Sequence, residues 1–269
     1  MKAFNPHRFG VLLRHDVMTA RTRLLRQFLT AWLCLSGILC TEAYVFRTSL
    51  HANPHDLGIR EMMAGHAVAV ASALFLFAVS RTFVLLRTKP QRIARLALPA
   101  TNAEKYAASL LLGVAVPAVS VALALLLAGL THAALIPLLG DWHHSLLPEI
   151  RDVVGSLNPI GQPFDATRWW TRVVCAALFL SEAAFFLLMG TLLRRHPFLT
   201  GSLVQFGLLL LYIVVATRFR RFDHWLCHAV SSSLPLTTLL LLAIAIALTW
   251  LSHRQFCRIQ VTPRKLLSL

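Results

Sequence analysis

Residues 172–217 read RVVCAALFLSEAAFFLLMGTLLRRHPFLTGSLVQFGLLLLYIVVAT, two apolar runs (172–193 and 198–217) parted only by Arg194, Arg195, His196 and Pro197. A helix rises about 1.5 Å per residue and the hydrocarbon of a bilayer is about 30 Å thick, so each run is long enough to cross. Four residues leave room for a turn and nothing more. The stretch therefore predicts two transmembrane helices in a tight antiparallel hairpin, with a basic pair at the membrane surface between them. A soluble core has no use for such runs.

The same pattern recurs on both sides of this hairpin. Runs at 27–46, 64–86, 107–129 and 234–252 complete a set of six predicted spans. Composition agrees: 57% of the 269 residues are apolar and only 14% are charged, against roughly 25% charged in a soluble domain. The fold class expected is an all-α membrane protein with six transmembrane helices. Pro117 falls inside the third span, where it removes a backbone donor and predicts a kink that neighbouring helices can tolerate.

The distribution of Lys and Arg sets the expected orientation, because basic residues collect on the cytosolic side. With the N-terminus inside, 18 of the 26 basic residues fall on that side and 8 on the other. That gives an N-in, C-in plan. One connection runs against it: Arg218–Asp223 would be external yet carries Arg218, Arg220 and Arg221.

Residues 1–26 precede the first span, and within them Phe9, Leu13, Val17, Ala20 and Leu24 recur at steps of three and four. They predict a cytosolic amphipathic helix over 6–26, resting in the interface with Arg8, Arg14, Arg21 and Arg23 among the headgroups. The six-helix domain then covers 27–252, including an external segment at 130–171, and residues 253–269 form a cytosolic tail. In the external segment Leu146–Leu157 has the pattern of a short amphipathic helix, ended by the Pro- and Gly-rich 158–164.

A net charge of +15 would suggest nucleic acid in a soluble chain. Here the lysines and arginines are accounted for by anionic lipid, so the bilayer is the expected partner and nucleic acid is not. The first apolar run begins only near Gln27 and is too long for a signal-peptide core, so a retained anchor is expected. Cys34, Cys40, Cys175, Cys227 and Cys257 form no CxxC and read as small apolar fillers.

Catalytic signatures are lacking. The sequence has no GxxxxGK[ST], no HExxH and no Gly-x-Ser-x-Gly, so no enzymatic activity, cofactor or metal is expected of it. His224, Cys227 and His228 could share a helical face, but they lack a fourth ligand and sit at a membrane boundary, as do His143 and His144. Ionisable residues within the spans need another reason. Glu182 lies near the middle of the fourth span, where a charge is costly. It serves either a polar translocation path or a hydrogen bond that ties two helices. Glu42, one turn from the outer end of the first span, carries the same two readings and can also reach water. Arg81 can snorkel to the cytosolic interface.

The most informative connection is 87–106, RTKPQRIARLALPATNAEKY. Thr101 and Glu104 form a T-x-x-E capping box, which predicts a helix beginning at Asn102 and running into the third span. Before it, a basic and partly apolar elbow is broken by Pro99. A positive-inside loop explains the charges but leaves Leu96–Pro99 without a purpose, whereas a docking surface for a soluble partner needs such an element.

LALPATNAEKY, following SRTFVLLRTKPQR from the second span, resembles the corresponding segment of small permease subunits of bacterial type-2 ATP-binding-cassette exporters. LFLSEAAFFLLMGTLLRRHPFLTGSLV at 178–204 is similar to a second stretch of that family. Glu182 departs from it, since a neutral polar residue, like the neighbouring Ser181, is expected there, as does the basic Arg218–Arg221 loop. The resemblance implies a transmembrane permease subunit that moves a substrate using ATP hydrolysed by separate ATPase subunits. It further implies pairing with a second permease, identical or different, and an elbow that carries Arg92, Arg95, Leu98, Pro99, Thr101, Glu104 and Lys105 against the ATPase. Two other classes fit six spans: a non-transporting membrane scaffold or assembly factor, and a small secondary transporter. The last commonly shows internal repeats and interrupted helices, which this sequence lacks.

Overall fold

A computed structural model describes residues 5–46, 57–83, 100–139, 166–193, 195–218 and 233–261, with the single positions Ile93, Leu98, Pro148 and Ile150. Among the described residues there are helices and no strand. Helix α1 is Pro6–Val45, α2 is Leu57–Ser80, α3 is Asn102–Leu110 and α4 is Val116–Leu139. They are followed by α5 (Ala166–Leu192), α6 (Pro197–Arg218) and α7 (Leu234–Val261). A π-helical turn, Leu111–Ala115, joins α3 to α4 so that these form one span. Six helical stretches are long and apolar enough to cross a membrane, and each overlaps one of the six runs read from the sequence.

Helix α1 differs from expectation in being unbroken. Asn5 caps it by accepting from the His7 and Arg8 amides, Pro6 supplies a preset first position, and the helix runs 40 residues to Val45. No Gly or Pro stands between Val11 and Ser36 to separate an interfacial piece from a span, and Leu24–Phe28 contains only residues that helices accept. At about 1.5 Å per residue the helix is some 60 Å long, twice what a perpendicular crossing uses. Its covered stripe in the first half is Leu12, Asp16 and Ala20, while Val17 is exposed. The stripe is thus rotated from the one the apolar spacing suggests, and it includes a carboxylate.

The π turn lies where Pro117 acts. A proline removes one hydrogen bond and crowds the carbonyl four residues earlier, here Gly113. The helix answers by widening, and the Val116 amide reaches back five residues to the Leu111 carbonyl.

The chain divides into two compact units. The first holds α1, α2 as far as Ala78, and the chain from Ala107 through α4. Its core is Ala31, Leu35, Leu39 and Ala43 of α1, Met63, Ala64, Ala67 and Ala71 of α2, Ala124, Leu125 and Ala128 of α4, and Ile150. Seven of these twelve are alanine. Lipid is as apolar as leucine and gives helices little hydrophobic reason to associate, so small residues that permit close approach do more here. The Ser36 and Thr131 hydroxyls, 3.0 Å apart, add a hydrogen bond between α1 and α4.

The second unit comprises Val79–Tyr106 with α5, α6 and α7. Helix α7 packs along α5, turning inward Thr238, Ala245 and Ser252, one every seven residues. Helix α6 returns against α5 by its first half, where Phe198 stacks on Phe186 at 5.3 Å and a Cβ on Gly201 would stand 3.0 Å from the Phe186 ring. The turn between them places His196 at φ 44°, in the left-handed region. From Phe206 to Val214 the apolar side chains of α6 are exposed on every side, a surface that hydrocarbon covers without cost and water does not.

Of the sequence-based expectations, the helix at 146–157 lies outside the described residues except at Pro148 and Ile150. So do Phe219–Asp223, His224, Cys227, His228, His143 and His144.

Candidate functional site

The elbow is built from its C-terminal stem. The Thr101 amide donates to Glu104 Oε2 at 2.8 Å, and the Glu104 amide donates to Thr101 Oγ1 at 3.3 Å. This is the reciprocal capping box, and α3 begins at Asn102 as the sequence implies. Glu104 is wholly buried and Lys105 nearly so. Thr101 and Leu98 are half-buried, and the Ala100 amide donates to the Leu98 carbonyl at 2.8 Å. Arg92, Arg95 and Pro99 lie outside the described residues. Ile93, at 66% relative exposure, is the described point of the elbow most open to its surroundings. Glu104 thus ties the backbone at Thr101 and fixes the C-terminal stem of the elbow.

The two intramembrane carboxylates occupy different units. In the first, Glu42 Oε1 stands 2.7 Å from His66 Nδ1 of α2, and Ala43 and Ala67, next to them in the chain, belong to the core. Glu42 Oε2 is buried with no hydrogen-bond partner among the described residues. In the second unit, Gln205 Nε2 of α6 donates to Glu182 Oε2 of α5. The structure thus gives each carboxylate a partner on a neighbouring helix.

His66 and Gln205 were not singled out by sequence reasoning. Gln205 could have been found. It lies nine residues after His196 while Glu182 lies twelve before Arg194, so a closed hairpin sets them nearly opposite. His66 follows a connection too long to fix a register. Among the described residues no group of three or more His, Cys, Asp or Glu side chains could hold a metal. His253 Nε2 and Cys257 Sγ, 3.6 Å apart, are a pair without a third ligand.

No protein-family model matches this chain, and no curated protein or solved structure matches it either.

Proposed function

We propose that this chain is a transmembrane permease subunit of a type-2 ATP-binding-cassette exporter in a bacterial cytoplasmic membrane. Its six spans supply half of a translocation path, completed by a second permease. ATP is hydrolysed by separate ATPase subunits that dock on the elbow between the second and third spans. The observation that carries this reading is the elbow: a basic, partly apolar connection that ends in a formed capping box and resembles the coupling segment of that family. A loop that merely joined two spans would not need both stems packed. Six helices of spanning length supply the setting.

The test is to purify the tagged protein in mild detergent and identify what accompanies it by mass spectrometry. A stoichiometric P-loop ATPase is expected, retained by the unchanged protein and lost when Leu98→Asp is combined with Glu104→Ala. Recovery alone, or with proteins that carry no P-loop, would overturn the proposal and favour a scaffold or secondary transporter.

A further inference from the structure

Both stems of the elbow close on the last helix. Phe83, the final described residue of the segment after α2, stacks on Tyr106 of α3 with centroids 5.9 Å apart and planes 14° from parallel. Phe256 of α7 packs against both, at 5.5 Å from Phe83 and 5.4 Å from Tyr106, and is completely buried. The Tyr106 hydroxyl donates to the Thr249 carbonyl at 3.2 Å. A turn of α7 further on, the His253 ring meets Tyr106 edge-on at 4.9 Å. The first stem has a second anchor, because a Cβ on Gly190 of α5 would lie 2.5 Å from the Ser80 carbonyl oxygen. The elbow joins the second and third spans in sequence, yet its stems pack with α5 and α7.

Close-packed side chains transmit displacement, since the interior has few voids to absorb it. Aromatic rings also prefer particular stacked and edge-to-face arrangements, so displacing one ring disturbs its partner. We infer that Phe83, Tyr106 and Phe256 form a transmission joint that carries movement of the elbow into α7. This inference rests on the exporter reading and deepens it: the three are positioning residues for coupling, and the last span is the element that moves with the ATPase. Partner recognition belongs to the elbow itself and the joint lies behind it, so the two are separable by substitution.

Two measurements test the joint and keep its failure apart from failure of the exporter reading. The first needs no ATPase. Hydrogen exchange on the full-length protein in detergent should show Tyr106→Leu raising exchange by about tenfold or more at 102–110 and at 249–258 together. Tyr106→Phe, which keeps the ring, should restore protection at both. A rise confined to 102–110 overturns the joint. The second uses the purified complex. Phe256→Leu should still co-purify with the ATPase but lose about tenfold in permease-dependent ATP hydrolysis. Combining it with Tyr106→Leu should cost little more than the worse single change, because both break one pathway. Full hydrolysis in Phe256→Leu, or two losses that multiply, overturns the joint while leaving the exporter reading intact. If no ATPase accompanies the unchanged protein the exporter reading falls, and with it the assignment of these residues to coupling.

Discussion

Gln205→Leu leaves the Glu182 carboxyl without its cross-helix partner. Interhelical hydrogen bonds in membranes average about 0.6 kcal/mol and reach about 1.7 kcal/mol. A drop of a few degrees in Tm is therefore expected in detergent. The double variant Glu182→Leu/Gln205→Leu should recover most of it, because removing both partners leaves no orphaned polar group. Non-recovery would show that the carboxyl has another essential partner. A contrast at glycine is sharper. Gly190→Ala puts a methyl group 2.5 Å from backbone oxygen, which no rotamer change can relieve, whereas a Cβ on Gly207 meets nothing within 4 Å. Gly190→Ala should cost about 1–3 kcal/mol by overpacking. Gly207→Ala should be neutral or stabilise by up to about 1 kcal/mol through helix propensity. Thermal unfolding of both variants checks the pair, and equal effects would contradict the packing described. At this scale the sequence is legible where chemistry is local: Thr101 and Glu104 announce their own pairing. His66 was missed because its partner, Glu42, lies on another helix 24 residues away in the chain.

At the scale of elements, the hairpin between α5 and α6 turns on His196 in the left-handed region. An L-residue there costs about 1–2 kcal/mol, a cost glycine does not carry. His196→Gly should raise the Tm and His196→Val should lower it; the reverse order would mean that the turn is closed differently. The brevity of the connection already implied the hairpin, and the antiparallel register then follows by counting outward from the turn. Pro117 likewise announced a disturbance in the third span, though not its form. Whether a proline yields a bend or a π turn depends on how the backbone around Gly113 is held. The helix runs unbroken past Gln27 because the change there is one of polarity, and backbone hydrogen bonding in a helix is indifferent to polarity. Hydropathy marks where a membrane begins, and caps mark where a helix ends.

For the whole molecule, six spans were legible from composition and run length, since a bilayer requires about 20 apolar residues per crossing. The grouping of those spans was not. Ser80, Phe83 and Tyr106 pack with α5 and α7 while the longer parts of α2 and α4 group with α1, a partition set by side-chain fit that no hydropathy pattern encodes. One consequence bears on orientation: Phe83, Tyr106 and Phe256 meet, so the elbow and the C-terminal part of α7 lie at the same end of their unit. The same sidedness follows from counting basic residues. The central claim is that the elbow faces the compartment that holds ATP, and its most direct test is side-specific labelling. Cys34, Cys40, Cys175, Cys227 and Cys257 are first replaced, and the exposed Ile93 is changed to cysteine. Cells are then treated with a membrane-impermeant maleimide before and after permeabilisation. The account predicts labelling only after permeabilisation; labelling of intact cells would put the elbow outside, beyond the reach of any ATPase, and contradict it.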